Sequence, residues 1–285
     1  MNELILINKP SGCTSRDVVN IVSKELNTKK VGHFGTLDPL ASGLLLIGVN
    51  KYTKLGNFLK EDTKEYIATV LIGTSTDTYD IDGKVLKEIK NINITKEEIE
   101  KVLKTFNKTY LQEVPSYSAV KKYGKKLYEY ARKGIEIELP KKEVTIYNIE
   151  LLDIYEKNNN KYFRFKTLVS KGTYIRSLIN DLSKELNIPL CMSALIRTKQ
   201  DKFSLEEANT IEDIKNKTYK SLNIRDILDL EVLSIPKELE KKVLNGSKIE
   251  KLSDKMILFT KNNEDIVLYE PVSNEMKPVL TLKNN

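Results

Sequence analysis

The run VGHFGTLDPLASGLLLIGV, Val31 to Val49, sets one carboxylate, Asp38, in a stretch that is otherwise apolar and rich in glycine. Whatever this chain folds into must accommodate that group. An ionised carboxylate taken out of water costs several kcal/mol unless it is paired or hydrogen-bonded. Asp38 is therefore either a local cap or a reactive group with a partner. The cap reading is a strong one: Asp before Pro opens many turns and helices, its side chain accepting backbone N–H bonds while the fixed φ of Pro39 starts the element.

A chain of 285 residues suggests one large domain and a smaller one. Hydrophobic residues are 40% and charged ones 31%, an ordinary balance for a soluble protein. The longest apolar run, Leu44 to Val49 with one glycine, is far too short to span a membrane. MNELILINKP does not read as a signal peptide, and a cytoplasmic protein is expected. Cys13 and Cys191 are the only cysteines, unclustered, as reduced thiols would be. His33 is the single histidine, so a zinc site built on several His and Cys ligands cannot be assembled, and a Cys-His or Ser-His nucleophile system has no other histidine to use. Thr78 to Gly83 (TYDIDG) resembles a calcium loop faintly, but its first ligand position is Thr78 and its twelfth is Ile89. No metal is expected; carboxylate, tyrosine, lysine and arginine remain for chemistry.

The net charge of +7, from 47 Lys and Arg against 40 Asp and Glu, favours a polyanionic partner. Its distribution is more informative. KKYGKKLYEYARKGIEIELPKK, Lys121 to Lys142, gathers eight Lys and Arg around Tyr123, Tyr128 and Tyr130. That mixture neutralises phosphates and offers faces for stacking, although a solvated basic surface has the same composition.

Along the chain, LILINK reads as a strand, and Thr14 to Asp17 opens a helix carrying Val18, Val19, Val22 and Leu26. Tyr66 to Gly73 is a strand, followed by a loop ending in an Asp-Gly turn. Thr95 and Glu98 make a capping box for a helix with Ile99, Val102, Leu103 and Phe106. EVTIYNIELLDIY and KYFRFKTLVS flank Asn158 to Asn160 as a hairpin. A helix with Ile175, Leu178, Ile179, Leu182 and Leu186 on one face then runs up to Pro189. Hairpins mixed with helices predict an α+β fold with a mixed, mostly antiparallel sheet flanked by helices. From about residue 230 the pattern becomes a short helix, a turn and a few strands, too small for much core and suited to an appended module.

If Asp38 is reactive it needs a cation, and SKGTYIR, residues 170 to 176, offers Arg176. Gly172 permits close approach, a helix N-terminus favours an anion, and Tyr174 can face the same cleft. A surface arginine and a packing tyrosine would look the same in isolation.

The blocks NKPSGCTS, KVGHFGTLDPLASGLLLIGV, KEYIATVLIGTSTDTYDIDG, VPSYSAVKKYGKKLYEYARKGIEI, SKGTYIRSLINDL and MSALIRT occur in this order over most of residues 4 to 199. In order and spacing the chain resembles the bacterial tRNA pseudouridine synthase B (TruB) family, which isomerises the uridine at tRNA position 55 in the TΨC loop. The resemblance implies a pseudouridine synthase catalytic domain over residues 1–229, with an RNA-clasping insertion at about 118–142. Residues 230–285 then form a small PUA-like, β-rich RNA-binding module. It implies that Asp38 is the nucleophile, Arg176 its partner, and Tyr66 the tyrosine that packs on the base and is a candidate for proton transfer at C5. Tyr174 and Leu195 match positions lining the uridine pocket, and His33 one that contacts the RNA loop as the base is extruded. Lys9 and Pro10 match a supporting motif; Lys121, Lys122, Lys125, Lys126 and Arg132 fall in the insertion.

The chemistry fits. Breaking N1–C1′, turning the uracil and joining C5 to C1′ exchanges internal atoms, so a nucleophile and a dry pocket suffice and no cofactor is expected. The target base must be flipped out at a cost of a few kcal/mol. The expected partner is the T stem-loop of tRNA, with no guide RNA and no membrane, and the protein is expected to be a monomer. The rival expectations are a tRNA-folding chaperone in which isomerisation is secondary, and pseudouridylation of another RNA. Phe34, Tyr52 and Ser116 depart from the residues usual in the family at these places.

Overall fold

The structure, a computed structural model, describes residues 2–59 and 63–283. Strand β1 (Glu3–Lys9) leads into α1 (Ser15–Glu25), whose capping box joins Thr14 and Asp17. Then come β2 (Val31–Phe34), β3 (Ser42–Val49), a 3₁₀ segment at Asn50–Asn57 and β4 (Thr63–Ile72). TYDIDG lies at the turn of a small hairpin, β5 (Thr74–Thr76) with β6 (Val85–Glu88). Helix α2 (Lys96–Thr105) starts from the Thr95 and Glu98 capping box and precedes β7 (Thr109–Glu113).

The basic segment is a minimal hairpin, β8 (Lys121–Lys122) and β9 (Lys125–Lys126), running into the short α3 (Leu127–Ala131). The long hairpin of β10 (Lys141–Lys157) and β11 (Asn160–Ser170) turns at Asn158 and Asn159, both left-handed with φ of 52° and 59°. Asparagine tolerates that conformation, so the tight turn holds without glycine. Helix α4 (Ile175–Leu186) and β12 (Leu190–Gln200) follow, then β13 (Phe203–Ser204), α5 (Ile211–Asn216) and α6 (Ile224–Ile227).

The main sheet has the order β1-β3-β12-β4-β11-β10-β7, with β2 on β3 and β13 on β12. Among its described pairings only β12 with β3 is parallel. The strand period of two sorts β1 and β3 onto two cores. Ile5, Ile7, Leu45 and Ile47 face α1, whereas Leu4, Leu6, Leu44 and Leu46 face the C-terminal sheet. Each such side chain contributes about 1.5–3 kcal/mol on full burial. A third cluster, with Phe163, Phe165, Leu178 and Leu182, seats α2 and α4 on the β4, β10 and β11 side.

Residues from Leu230 form a second sheet, β14 (Leu230–Ser234), β16 (Met256–Lys261), β17 (Glu264–Val272), β18 (Glu275–Thr281) and β15 (Ile249–Glu250) in that spatial order, with α7 (Glu240–Leu244) beside it. It is less short of core than its length predicts. Phe259 and Tyr269 pack edge to face in a cluster of its own, and Leu258, Leu268 and Leu280 complete the cluster under β1 and β3.

Two of the departures have structural counterparts. The Tyr52 hydroxyl is buried and accepts the Ile224 N–H at 2.8 Å, joining the 3₁₀ segment to α6. Phe34 lies over glycine: a Cβ at Gly56 would stand 2.9 Å from its ring. Nothing in the structure explains Ser116.

Candidate active site

Asp38 caps no helix. Its carbonyl accepts the Ala41 N–H at 3.1 Å, so Asp38 and Pro39 make a turn within an irregular loop between β2 and β3. The β1–α1 turn grips that loop. Ser15 Oγ accepts the Leu37 N–H at 2.9 Å and donates to the Leu37 carbonyl at 3.1 Å. The Gly12 N–H donates to the Pro39 carbonyl at 2.9 Å and Ser11 Oγ to that of Leu40 at 2.7 Å. Lys9, fully buried, donates from Nζ to the carbonyls of Cys13 at 2.7 Å and Pro10 at 3.0 Å, and reaches that of Pro39 at 3.5 Å. Burial pulls its pKa below the ordinary lysine value, against the opposing influence of Cys13 and Asp38.

The loop presents Asp38 to a cleft of about 280 Å³, lined also by Tyr66, Ser118, Gly172, Tyr174, Arg176 and Leu195 among others. Arg176 Nε stands 2.9 Å from Asp38 Oδ2. The remaining guanidinium nitrogens are held elsewhere: Nη1 donates to the Thr78 carbonyl at 3.1 Å and lies 3.7 Å from Asp80 Oδ2, and Nη2 donates to the Tyr117 carbonyl at 3.0 Å. Three chain segments thus fix the plane of the group, and its side chain is only 7% exposed against 42% for Asp38. The Asp38 carboxylate takes no other hydrogen bond or ion pair among the described residues, which leaves its second oxygen to a ligand. Asp80 accepts from Thr78 Oγ1 at 2.6 Å and from the Asp82 N–H at 3.2 Å, yet burial pushes its pKa above the usual carboxylate value.

Tyr174 is the N-cap residue of α4 and is clamped by Gln112 of β7, which accepts its N–H at 2.8 Å and donates to its carbonyl at 3.1 Å. Burial and the neighbouring Asp38 raise its pKa, so the phenol stays protonated at neutral pH. Tyr66 on β4 and Leu195 on β12 are both buried beside the cleft.

Of the site residues expected from the sequence, Asp38, Tyr66, Tyr174, Arg176 and Leu195 converge in one cleft. Lys9 supports it from beneath. His33, on β2 opposite Ile47, is not among the lining residues. In the basic segment, Lys126 and Arg132 flank the Tyr128 ring at 5.5 and 5.3 Å from its centre. Lys121 and Lys125 are exposed, whereas Lys122 is turned inward onto the Glu138 carbonyl at 2.6 Å. Ser118 and Ala119 tie the start of this segment to the cleft. Asp80 and the Thr78 carbonyl were not singled out from the sequence. Their stretch reads in the sequence as a faint calcium loop, a loop ending in an Asp-Gly turn and part of a family block, none of which points to its contacts with Arg176.

A sequence model described as TruB family pseudouridylate synthase (N terminal domain) matches residues 23–175. The chain is 42% identical over 257 residues to tRNA pseudouridine synthase B of Alkaliphilus oremlandii, covering 87% of this chain and 83% of that protein. It is 37% identical to the enzyme of that name from Lactobacillus acidophilus, over 100% of this chain and 99% of the other. Among solved structures, a chain from an H/ACA RNP bound to a substrate RNA containing 2′-deoxyuridine shares the fold with a TM-score of 0.68 at 21% identity, over 99% of this chain and 85% of that one. A chain from a Cbf5-Nop10-Gar1 complex does so with a TM-score of 0.66 at 23% identity, over 99% and 84%.

Proposed function

The chain belongs to the TruB family of pseudouridylate synthases, and from that we propose that it isomerises the uridine at position 55 in the TΨC loop of tRNA to pseudouridine. The observation that carries this reading is the Asp38 carboxylate, open to the cleft on one oxygen and held on the other by an immobilised Arg176. The reaction replaces the N1–C1′ bond by C5–C1′, while C5 loses a proton and N1 gains one. Attack of Asp38 on C1′, its assistance to loss of the C2′ proton, and its addition at C6 all demand an ionised carboxylate.

Tyr66 packs on the flipped uracil and stands ready for the proton at C5. Tyr174 and Leu195 complete the pocket wall, and His33 meets the RNA loop from which the base has left. Lys9 holds the Asp38 loop in place. Lys121, Lys125 and Lys126, with Arg132, neutralise the phosphates of the T arm, and the tyrosines offer stacking faces. We place the protein in the cytoplasm, acting as a monomer without a guide RNA. Among the described residues no helix is long and apolar enough to cross a membrane.

The test is tritium release from tRNA labelled at C5 of uridine. Asp38→Asn is expected to abolish release while tRNA binding stays within about threefold of wild type, since the substitution removes a charge without changing shape. Release at the wild-type rate in the variant overturns the assignment. Mapping pseudouridine in total RNA with and without the protein tests the choice of position.

A further inference from the structure

Arg197, near the end of β12, is fully buried, yet none of its hydrogen bonds goes to a carboxylate. Nε donates to the Leu44 carbonyl at 2.7 Å and Nη2 to the Gly35 carbonyl at 3.1 Å, whereas Nη1 is buried with no partner among the described residues. A buried cation without a counter-charge is costly, and an apolar side chain of similar volume would avoid the penalty. Its position indicates what it does.

Gly35 opens the loop that carries Asp38, and Leu44 lies just past its end, in β3. One guanidinium therefore bridges the neck of that loop. The main chain of the same residue does so too: Arg197 pairs with Gly43 in the parallel β12–β3 ladder, and a Cβ at Gly43 would stand 2.3 Å from the Arg197 carbonyl oxygen. Gly35 lies under Arg197 Nη1, Gln200 Oε1 and Lys64 Nζ, with the position of a Cβ only 3.1 to 3.4 Å from these atoms. On the other side of the loop stands Lys9, the second buried cation, also without a carboxylate within ion-pair distance among the described residues. Asp38 favours the charge of Lys9 and Arg197 opposes it, so Lys9 lies within electrostatic reach of both.

We propose that Arg197 is a positioning residue for the isomerisation: it closes the neck of the Asp38 loop and so fixes where the Asp38 carboxylate stands in the cleft. This rests on the reading of Asp38 as the nucleophile. The groups around that carboxylate are Arg176 and Tyr174 from α4, Tyr66 and Lys64 from β4 and Lys9 from β1, with Asp80 on another nitrogen of Arg176.

The experiment uses the full chain and tRNA, with single-turnover tritium release measured from about pH 5 to 9. Arg197→Lys keeps the charge and loses the two-point grip; Arg197→Met loses both. The lysine variant is expected to slow about tenfold and the methionine variant at least about a hundredfold, with tRNA affinity within about threefold of wild type in both. Backbone amides of residues 36–42 should exchange faster in either variant. A wild-type rate in the methionine variant overturns the proposal, and so does a slowed variant in which residues 36–42 exchange at the wild-type rate. Should Arg197→Met fail to fold, the lysine variant decides, since an unchanged rate with unchanged exchange is incompatible with a loop held at its neck. A wild-type enzyme that releases no tritium from tRNA sinks the functional reading instead.

Discussion

Asp80 Oδ2 stands 3.7 Å from Arg176 Nη1 while Asp38 holds Nε, so one buried guanidinium serves two carboxylates of different character. Asp38 is open to the cleft, whereas the Asp80 side chain is about 10% exposed and its pKa is pushed up by burial, which outweighs the Thr78 hydroxyl and Arg176.

That direction fixes a sign. A carboxyl whose folded pKa is raised contributes most to stability below its unfolded pKa, and the contribution is lost as pH rises through the folded value. Asp80→Asn should therefore flatten the fall in Tm between acid and neutral pH and leave Tm at pH 7 unchanged or higher. Tritium release should nonetheless drop by about ten- to a hundredfold, because the arginine loses an anchor. Thermal unfolding across pH together with single-turnover rates checks both halves.

Arg176→Lys keeps a positive charge but cannot reach Asp38, the Thr78 carbonyl and the Tyr117 carbonyl at once. Leaving buried partners unmatched is expected to cost about 3–5 kcal/mol of stability. Catalysis should fall by at least about a hundredfold at saturating enzyme with little change in tRNA affinity. A full rate in this variant would show that fork geometry is dispensable.

The Phe34 ring leaves no room for a side chain at Gly56, where a Cβ would stand 2.9 Å away. Gly56→Ala should cost about 1–3 kcal/mol by overpacking, and much less when Phe34 is already Ala. Urea denaturation of the four proteins measures the coupling, and simple additivity would refute it.

Tyr52→Phe leaves the Ile224 N–H without its acceptor at a buried place. A loss of about 1–2 kcal/mol is expected, with catalysis unaffected. Equal stability of the two proteins would mean that the N–H finds another acceptor.

Lys126 and Arg132, which flank Tyr128, are expected to contact phosphates, whereas Lys122 is engaged with Glu138. Alanine at either of the first two should weaken tRNA binding and lower the slope of log K against log salt by about one each. Alanine at Lys122 should leave the slope unchanged. Binding titrations at several salt concentrations separate the cases.

Much of this was legible because it is local. The capping pairs at Thr14 and Thr95 start their helices where expected, and Asn158 turns its hairpin. The pairing of Asp38 with Arg176 followed from asking which cation could hold an isolated carboxylate, sharpened by the family resemblance. The sequence leaves Asp38 open between a cap of a turn or helix and a reactive group; the structure places Asp38-Pro39 in a turn packed against Ser15 and Lys9 and gives the carboxylate to Arg176. Arg197, Asp80 and the Tyr52 bond to Ile224 were invisible for another reason. Their partners are backbone atoms or lie over 90 residues away, and neither leaves a periodic mark.

Strand β12 lies between β3 and β4, although it is made more than a hundred residues after either. On a ribosome, a chain ending before residue 190 already contains Asp38, Tyr66 and Arg176 but has no strand to join the two partial sheets that carry them. The nascent protein is therefore catalytically blank until almost the whole of its larger part has been translated. Closing so long a loop is slow, so active enzyme should appear with a lag after synthesis, and early termination products should not compete for tRNA at this cleft.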